Sequence, residues 1–81
     1  MRKRLEYTVI IEKQQGARGY WVKVPSLTGC FSTGDTIDDA LSNVKDAIAT
    51  YLEALREQGQ EIPIETKQPI IGRVRVAVEA A

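Results

Sequence analysis

Apolar and polar residues alternate along the beginning of the chain. Over residues 5–13 the odd positions are apolar or aromatic as far as Ile11, and this period of two predicts a half-buried strand. The alternation recurs over residues 20–25, where Pro25 ends the run because proline cannot donate to a sheet ladder. A glycine-containing turn then leads to a short third strand, predicted over residues 30–34.

The apolar period changes to three and four residues after residue 36. Thr36 is a suitable N-cap, and Asp39 stands three residues later in a variant of the capping box. The apolar positions that follow form one helical stripe: Ile37, Leu41, Val44, Ile48, Tyr51, Leu52 and Leu55. With Gly59 as a C-terminal cap, the pattern predicts one long helix over about residues 37–58.

Residues 71–78 return to an alternating pattern. Val74, Val76 and Val78 occupy one side of this segment, and two arginines lie on the other. The period of two predicts a last strand with a basic outer side. The predicted order of elements is therefore β-β-β-α-β.

These elements predict a single α+β domain over residues 1–81, with one mixed sheet and the single long helix on one face. We expect the last strand to return through the helix crossover and to lie parallel to a central strand. One helix covers only one face of a sheet, so the other face is a candidate for association. Ile10, Trp21 and Lys23 lie on that open face and are the predicted self-association residues. The alternative is that Trp21 packs within its own sheet.

The charges are balanced overall but unevenly distributed. The 81 residues include 11 Lys and Arg and 11 Asp and Glu, and zero net charge argues against a dedicated nucleic-acid binder. Residues 35–65, however, contain eight acidic and two basic side chains, which suits a basic protein partner. We predict that this partner contacts the acidic residues Asp38, Asp46, Glu53 and Glu57. The alternative is a solvated helix face.

The residue types of common catalytic and metal sites are missing from the sequence. There is no His and one Cys, which excludes Ser-His and Cys-His nucleophile pairs and the usual zinc sites. We therefore expect no enzyme activity, no cofactor and no bound metal. One cysteine allows no internal disulfide, and no apolar run approaches the ~20 residues of a membrane helix. These features predict a cytoplasmic protein.

A residual metal nuclease is a weaker alternative. The order of strands and helix resembles a trimmed ribonuclease H fold, which uses carboxylates on the first strand, the helix and the last strand to hold magnesium ions. Glu6 or Glu12 and Asp46 or Glu53 supply two of these groups. The last strand offers arginines instead, so the carboxylate set is incomplete.

Several short motifs follow one another in a set order along residues 5–64. They are Tyr-Thr-Val-Ile-Ile-Glu-Lys at 7–13, Gly-Tyr-Trp-Val-Lys-Val-Pro at 19–25, Leu-Thr-Gly-Cys at 27–30, Gly-Asp-Thr at 34–36, Asp-Asp-Ala-Leu at 38–41, Tyr-Leu-Glu-Ala-Leu at 51–55 and Ile-Pro at 62–63. No single motif is specific, but the ordered set resembles the HicB antitoxin family.

This resemblance implies a partly degraded ribonuclease H-like fold and a partner, the small basic HicA toxin, which is an mRNA-cleaving ribonuclease. A HicB antitoxin neutralises that toxin by binding across its active site. Many relatives carry a C-terminal DNA-binding domain, whereas this chain stops at Ala81, soon after the predicted last strand, which counts against DNA binding.

Two expectations concern assembly. A chain this short has a small core, so we expect a homo-oligomer, either a dimer or a tetramer. Solitary relatives of HicB are common, and the alternative function is therefore an oligomeric protein-interaction domain with no toxin partner.

Overall fold

A computed structural model of the protein describes residues 4–66 and 69–80. Three strands precede one helix, and the elements are β1 (Ile10–Lys13), β2 (Tyr20–Lys23), β3 (Phe31–Gly34) and α1 (Ile37–Glu57). The strands form one antiparallel sheet in the order β1-β2-β3, and the helix packs mainly on β3 and β2. The α+β class is confirmed, and the relation to ribonuclease H folds stays a prediction.

Loops at residues 14–19 and 24–30 join the two antiparallel strand pairs. Glu12 lies opposite Trp21, and Trp21 lies opposite Thr33. The first hairpin turns at Gly16 and Gly19, whose φ angles of 67° and 103° favour glycine. The alternation predicted from the sequence is thus expressed as three short, in-register strands.

The helix boundaries follow from its capping residues. The Thr36 hydroxyl accepts a hydrogen bond of 3.0 Å from the Asp39 backbone N–H, as an N-cap should. At the other end Gln60 N–H donates to the Leu55 carbonyl, and Gly59 has a φ of 70°, which is a Schellman ending. The predicted helix over residues 37–58 is confirmed to within one residue.

The core lies between the sheet and the helix. Its buried side chains are Val22, Val24, Leu27, Cys30, Ala40 and Val44. Gly34 allows the helix to approach β3 closely, because a Cβ there would lie 2.3 Å from the backbone nitrogen of Ala40. The predicted helical stripe is wrong in its first turn, where Ile37 and Leu41 are exposed. Ala40 is buried instead, since only a small side chain fits against Gly34.

The first strand is shorter than the predicted residues 5–13. Residues 4–9 have no ladder partner, because β2 ends at Lys23 and Pro25 follows it. Tyr7, Val9 and Ile11 nevertheless pack against the core, so the predicted inward side of this segment is confirmed. The second and third strands likewise begin or end one or two residues inside the predicted 20–25 and 30–34.

The predicted last strand over residues 71–78 is wrong for the single chain. No strand occurs among the described residues 69–80, and the sheet is wholly antiparallel instead of mixed. The chain after the helix is fixed beside residues 7–8 and 26 by hydrogen bonds, and none of the described residues 69–80 forms a ladder with the sheet. The radius of gyration, 15.9 Å, exceeds the about 12 Å of a compact chain of this length, which reflects the projecting C-terminal segment.

Candidate partner-binding surfaces

One side of the helix carries a line of exposed carboxylates. Asp46, Glu53 and Glu57 are all exposed and lie seven and four residues apart, so they share the side turned away from the sheet. The core-facing side is occupied by Val44 and its neighbours. The structure therefore brings three of the four predicted partner-binding residues together on one solvent-facing strip.

Asp38, the fourth predicted residue, is exposed but lies off this line. It belongs to the first helical turn and is eight residues from Asp46, which turns it well away around the helix axis. Asp39 is seven residues before Asp46 and continues the line, and sequence reasoning used it only for capping. The seven-residue spacing was the signal that would have identified it. We call Asp39, Asp46, Glu53 and Glu57 the acidic strip.

An open groove borders the acidic strip at Asp46. It has a volume of about 390 Å³ and runs between the turn at Gly29 and the helix, with Phe31 and Tyr51 among its walls. Cys30 also lines it, and burial raises the pKa of this thiol, which keeps it protonated and poorly nucleophilic. The groove thus offers apolar surface immediately beside a carboxylate.

The open face of the sheet presents an aromatic pair. The ring centroids of Trp21 and Phe31 are 6.1 Å apart, and Phe31 is 55% exposed. Lys23 lies with its Nζ atom 5.6 Å from the centre of the Trp21 ring and 3.9 Å from a carboxylate oxygen of Glu12. Trp21 therefore does pack within its own sheet, while the face as a whole remains open among the described residues.

The three predicted self-association residues are each half-buried: Ile10, Trp21 and Lys23. Ile10 is paired with Lys23, and Lys23 with Phe31, so all lie on the open face. Sequence reasoning missed Phe31 because its short strand offers too few residues for a clear alternation. Self-association through this face stays a prediction.

Glu65 fixes the segment that follows the helix. One carboxylate oxygen accepts from the Thr8 backbone N–H at 2.9 Å and the Ser26 hydroxyl at 2.7 Å, and the other accepts from the Thr8 hydroxyl at 2.9 Å. The hydrogen bonds from Ser26 and Thr8 lower the pKa of Glu65. The Tyr7 hydroxyl adds a bond to the Pro63 carbonyl, and burial, followed by the charge of Glu65, raises the pKa of Tyr7. No sequence pattern indicated this contact.

Within residues 4–66 and 69–80, no three Cys, Asp or Glu side chains are arranged so as to hold a metal ion. Over the same ranges, no helix has the length and apolar character needed to cross a membrane.

Comparison with known proteins assigns the family. The model of the HicB-like antitoxin of bacterial toxin–antitoxin systems matches residues 7–74, which include the strands, the helix and the acidic strip. This chain belongs to the HicB-like antitoxin family. A general role in a toxin–antitoxin system follows from this membership.

Individual relatives support the family assignment. A UPF0150 protein of Thermoplasma acidophilum is 43% identical over 67 residues, covering 82% of this chain and 94% of that protein. A UPF0150 protein of Synechocystis is 42% identical over 59 residues, covering 73% of each chain. The crystal structure of the N-terminal domain of the Burkholderia pseudomallei antitoxin HicB superposes with a TM-score of 0.64 and 35% identity, covering 74% of this chain and 69% of that one.

Proposed function

We propose that this HicB-like chain is a cytoplasmic antitoxin without enzyme activity of its own, which neutralises a HicA-type, mRNA-cleaving ribonuclease by binding over its active site. The observation that carries the proposal is the acidic strip. Its four carboxylates are exposed along one side of α1, where a basic protein can reach all of them at once.

A ribonuclease is a suitable target for such a strip. An enzyme that binds RNA attracts phosphates with basic side chains, and a row of carboxylates competes for the same charges. The groove beside Asp46 adds apolar contact at the edge of the strip through Phe31 and Tyr51. Charge complementarity steers the encounter, and apolar contact slows dissociation.

Growth rescue tests the proposal. Cells that express a HicA-type toxin from the neighbouring gene stop growing, and co-expression of the wild-type chain is expected to restore growth. The double variant Asp46→Lys and Glu53→Lys should weaken toxin binding by about tenfold or more, because two attractive charges become repulsive. Rescue should then fail.

The matched control is the double variant Glu6→Lys and Glu61→Lys, which makes the same charge change at exposed positions outside the helix. It should rescue growth as the wild type does. Circular dichroism on each purified variant verifies that the fold is retained. If the Asp46 and Glu53 variant still rescued growth, the acidic strip would not be part of the toxin interface. If the wild-type chain failed to rescue growth, the antitoxin function would be rejected.

A second candidate function is a solitary, oligomeric protein-interaction domain with no toxin partner. The aromatic pair of Trp21 and Phe31 on the open sheet face favours it, since exposed aromatic surface is typical of interfaces. It predicts that no toxin gene adjoins this one and that light scattering gives a stable homo-oligomer. A monomer at high protein concentration would contradict it.

A further inference from the structure

The C-terminal segment has the pattern of a strand, but residues 69–80 pair with no strand in the described part of the chain. Val74, Val76 and Val78 alternate with polar or small residues, and they are 88%, 72% and 84% exposed. Leaving three β-branched side chains exposed to water on one side of the segment is unfavourable for a single chain. Such a segment is a template for pairing with another strand.

The anchored part of the tail shows where this free segment begins. Hydrogen bonds fix Glu65 to Thr8 and Ser26, and Pro69 and Ile71 still line a groove with Ile10. The chain then leaves the body of the protein, and the longest dimension reaches 56 Å against 29 and 20 Å for the others. The segment after Ile71 therefore projects from a fixed base.

We propose that residues 73–79 pair antiparallel with the same residues of a second copy, forming a two-stranded ribbon centred on Val76. A second copy is the occupant because the segment is complementary to itself. In this register Val76 lies opposite its own counterpart and Val74 opposite Val78, so the valines gather on one side.

The charges on the other side of the ribbon also match. Arg73 lies opposite Glu79 of the second copy, twice by symmetry, and Arg75 lies opposite Ala77. Opposite charges directly across an antiparallel pair are favourable, and like charges are unfavourable.

Neighbouring registers fit the sequence less well. A ribbon centred on Arg75 would place that arginine against its own counterpart. A ribbon centred on Ala77 would also oppose Arg75 and Glu79, but it would set Val74 opposite Ala80 and would lose one of the three valine pairs. The register centred on Val76 is favoured because it keeps all three valine pairs together with the opposed charges.

This contact is separate from the open sheet face and from the acidic strip. The ribbon uses only residues beyond Ile71, and the acidic strip lies on α1. A two-stranded ribbon is only marginally stable alone, so we expect the dimer to dissociate on dilution. Because the ribbon forms between two copies of this chain, it can be tested on the purified protein without a toxin.

Cysteine cross-linking tests both the pairing and its register. In a Cys30→Ala background, Val76→Cys places two thiols directly opposite each other, within the Cα separation that a disulfide spans. Ala77→Cys places its thiols on the diagonal, about 7–8 Å apart. Under the same oxidant, the Val76→Cys chain should form disulfide-linked dimer at least about tenfold faster. Equal rates for the two variants would overturn the proposal.

Light scattering provides an independent test. The wild-type chain should have the mass of a dimer at high concentration, and Val76→Pro should be monomeric because it removes a ladder N–H. Val76→Thr keeps the β propensity and should remain dimeric. Arg73→Glu should weaken the dimer, and Arg73→Glu combined with Glu79→Arg should restore it. A dimer unaffected by Val76→Pro, or a wild-type chain that is monomeric throughout, would contradict the ribbon.

Discussion

The two faces of the sheet differ in what covers them. The helix-facing side carries Val22, which is fully buried, while the opposite side carries Phe31, which is 55% exposed. Both residues belong to strands of the same length and the same hairpin. The difference arises because one helix shields only one face of a three-stranded sheet.

This contrast separates stability from recognition. Side chains on the covered face contribute to folding through buried apolar area and close packing. Side chains on the open face and on the outer side of α1 contribute little to folding and are available to other molecules. Substitutions on the two faces should therefore differ in size and in kind.

Leu27→Ala should produce the largest loss of stability. Leu27 is 1% exposed and lies in the core beside Val24 and Cys30. Truncating a buried leucine removes apolar contacts and leaves a cavity, which costs about 2–5 kcal/mol. Urea unfolding measures this free energy, and a loss below about 1 kcal/mol would show that the covered face is not the main source of stability.

Gly34→Ala should have the next largest effect. The added Cβ would lie 2.3 Å from the Ala40 nitrogen and 2.7 Å from its Cα atom, so the helix must shift outward from β3. Overpacking of this kind costs about 1–3 kcal/mol. Gly72→Ala is the matched control, because a Cβ there meets no atom within 4 Å. Equal midpoints of thermal unfolding for the two variants would contradict the close approach.

Phe31→Ala should have a smaller effect on stability than Leu27→Ala, although it removes a larger side chain. Phe31 is half exposed and contacts Trp21 at a centroid distance of 6.1 Å. We expect a loss of about 1 kcal/mol, since the aromatic contact disappears and little buried area is lost. If urea unfolding showed that Phe31→Ala lowers the free energy of unfolding as much as Leu27→Ala does, the two faces would not differ in their contribution to stability.

Glu65→Gln should have the smallest effect and should reveal a pH dependence. The pKa of Glu65 is lowered in the folded chain by hydrogen bonds from Ser26 and Thr8. The stability that the carboxylate contributes is therefore present above its ordinary pKa of 4.5 and is lost as pH falls through the lowered folded value. Because Thr8 lies between Tyr7 and Val9, which pack on the core, this loss loosens the covered side.

The measurement is the free energy of unfolding of the wild type and the Glu65→Gln variant at several pH values. The difference between them should shrink as pH falls below 4.5. Glu61→Gln is the matched control, because it makes the same charge change at an exposed position of the same segment. If the difference in free energy of unfolding between the wild type and Glu65→Gln were constant with pH, the ionised carboxylate of Glu65 would not be what stabilises this contact.

Local patterns predicted the parts of the fold that depend on neighbouring residues. The Thr36 cap, the Gly59 ending and the inward side of residues 7–11 were all readable from spacing. Contacts distant in sequence were not: Glu65 meets Thr8 across 57 positions, and nothing in either segment indicates the other. The strand predicted at 71–78 has the pattern of a strand but pairs with none of the residues that the structure describes. An alternating pattern indicates that a segment can pair, but it does not identify the partner strand.

The binding site was predicted in the same partial way. Asp46, Glu53 and Glu57 follow from helical spacing, but steps of seven and of eight residues were treated as equivalent. Asp38, eight residues before Asp46, was therefore chosen instead of Asp39, which is seven residues before it. Phe31 became part of the open face only when the register placed it opposite Lys23.

We propose that a toxin docks on the acidic strip of α1, while the helix-covered face of the sheet stabilises the fold. Amide chemical-shift changes in the labelled chain, recorded as a HicA-type toxin is added, test it most directly. We expect the largest changes in the acidic strip, at Asp39, Asp46, Glu53 and Glu57. Changes concentrated at Trp21 and on the open sheet face, or no changes in α1 at saturating toxin, would contradict it.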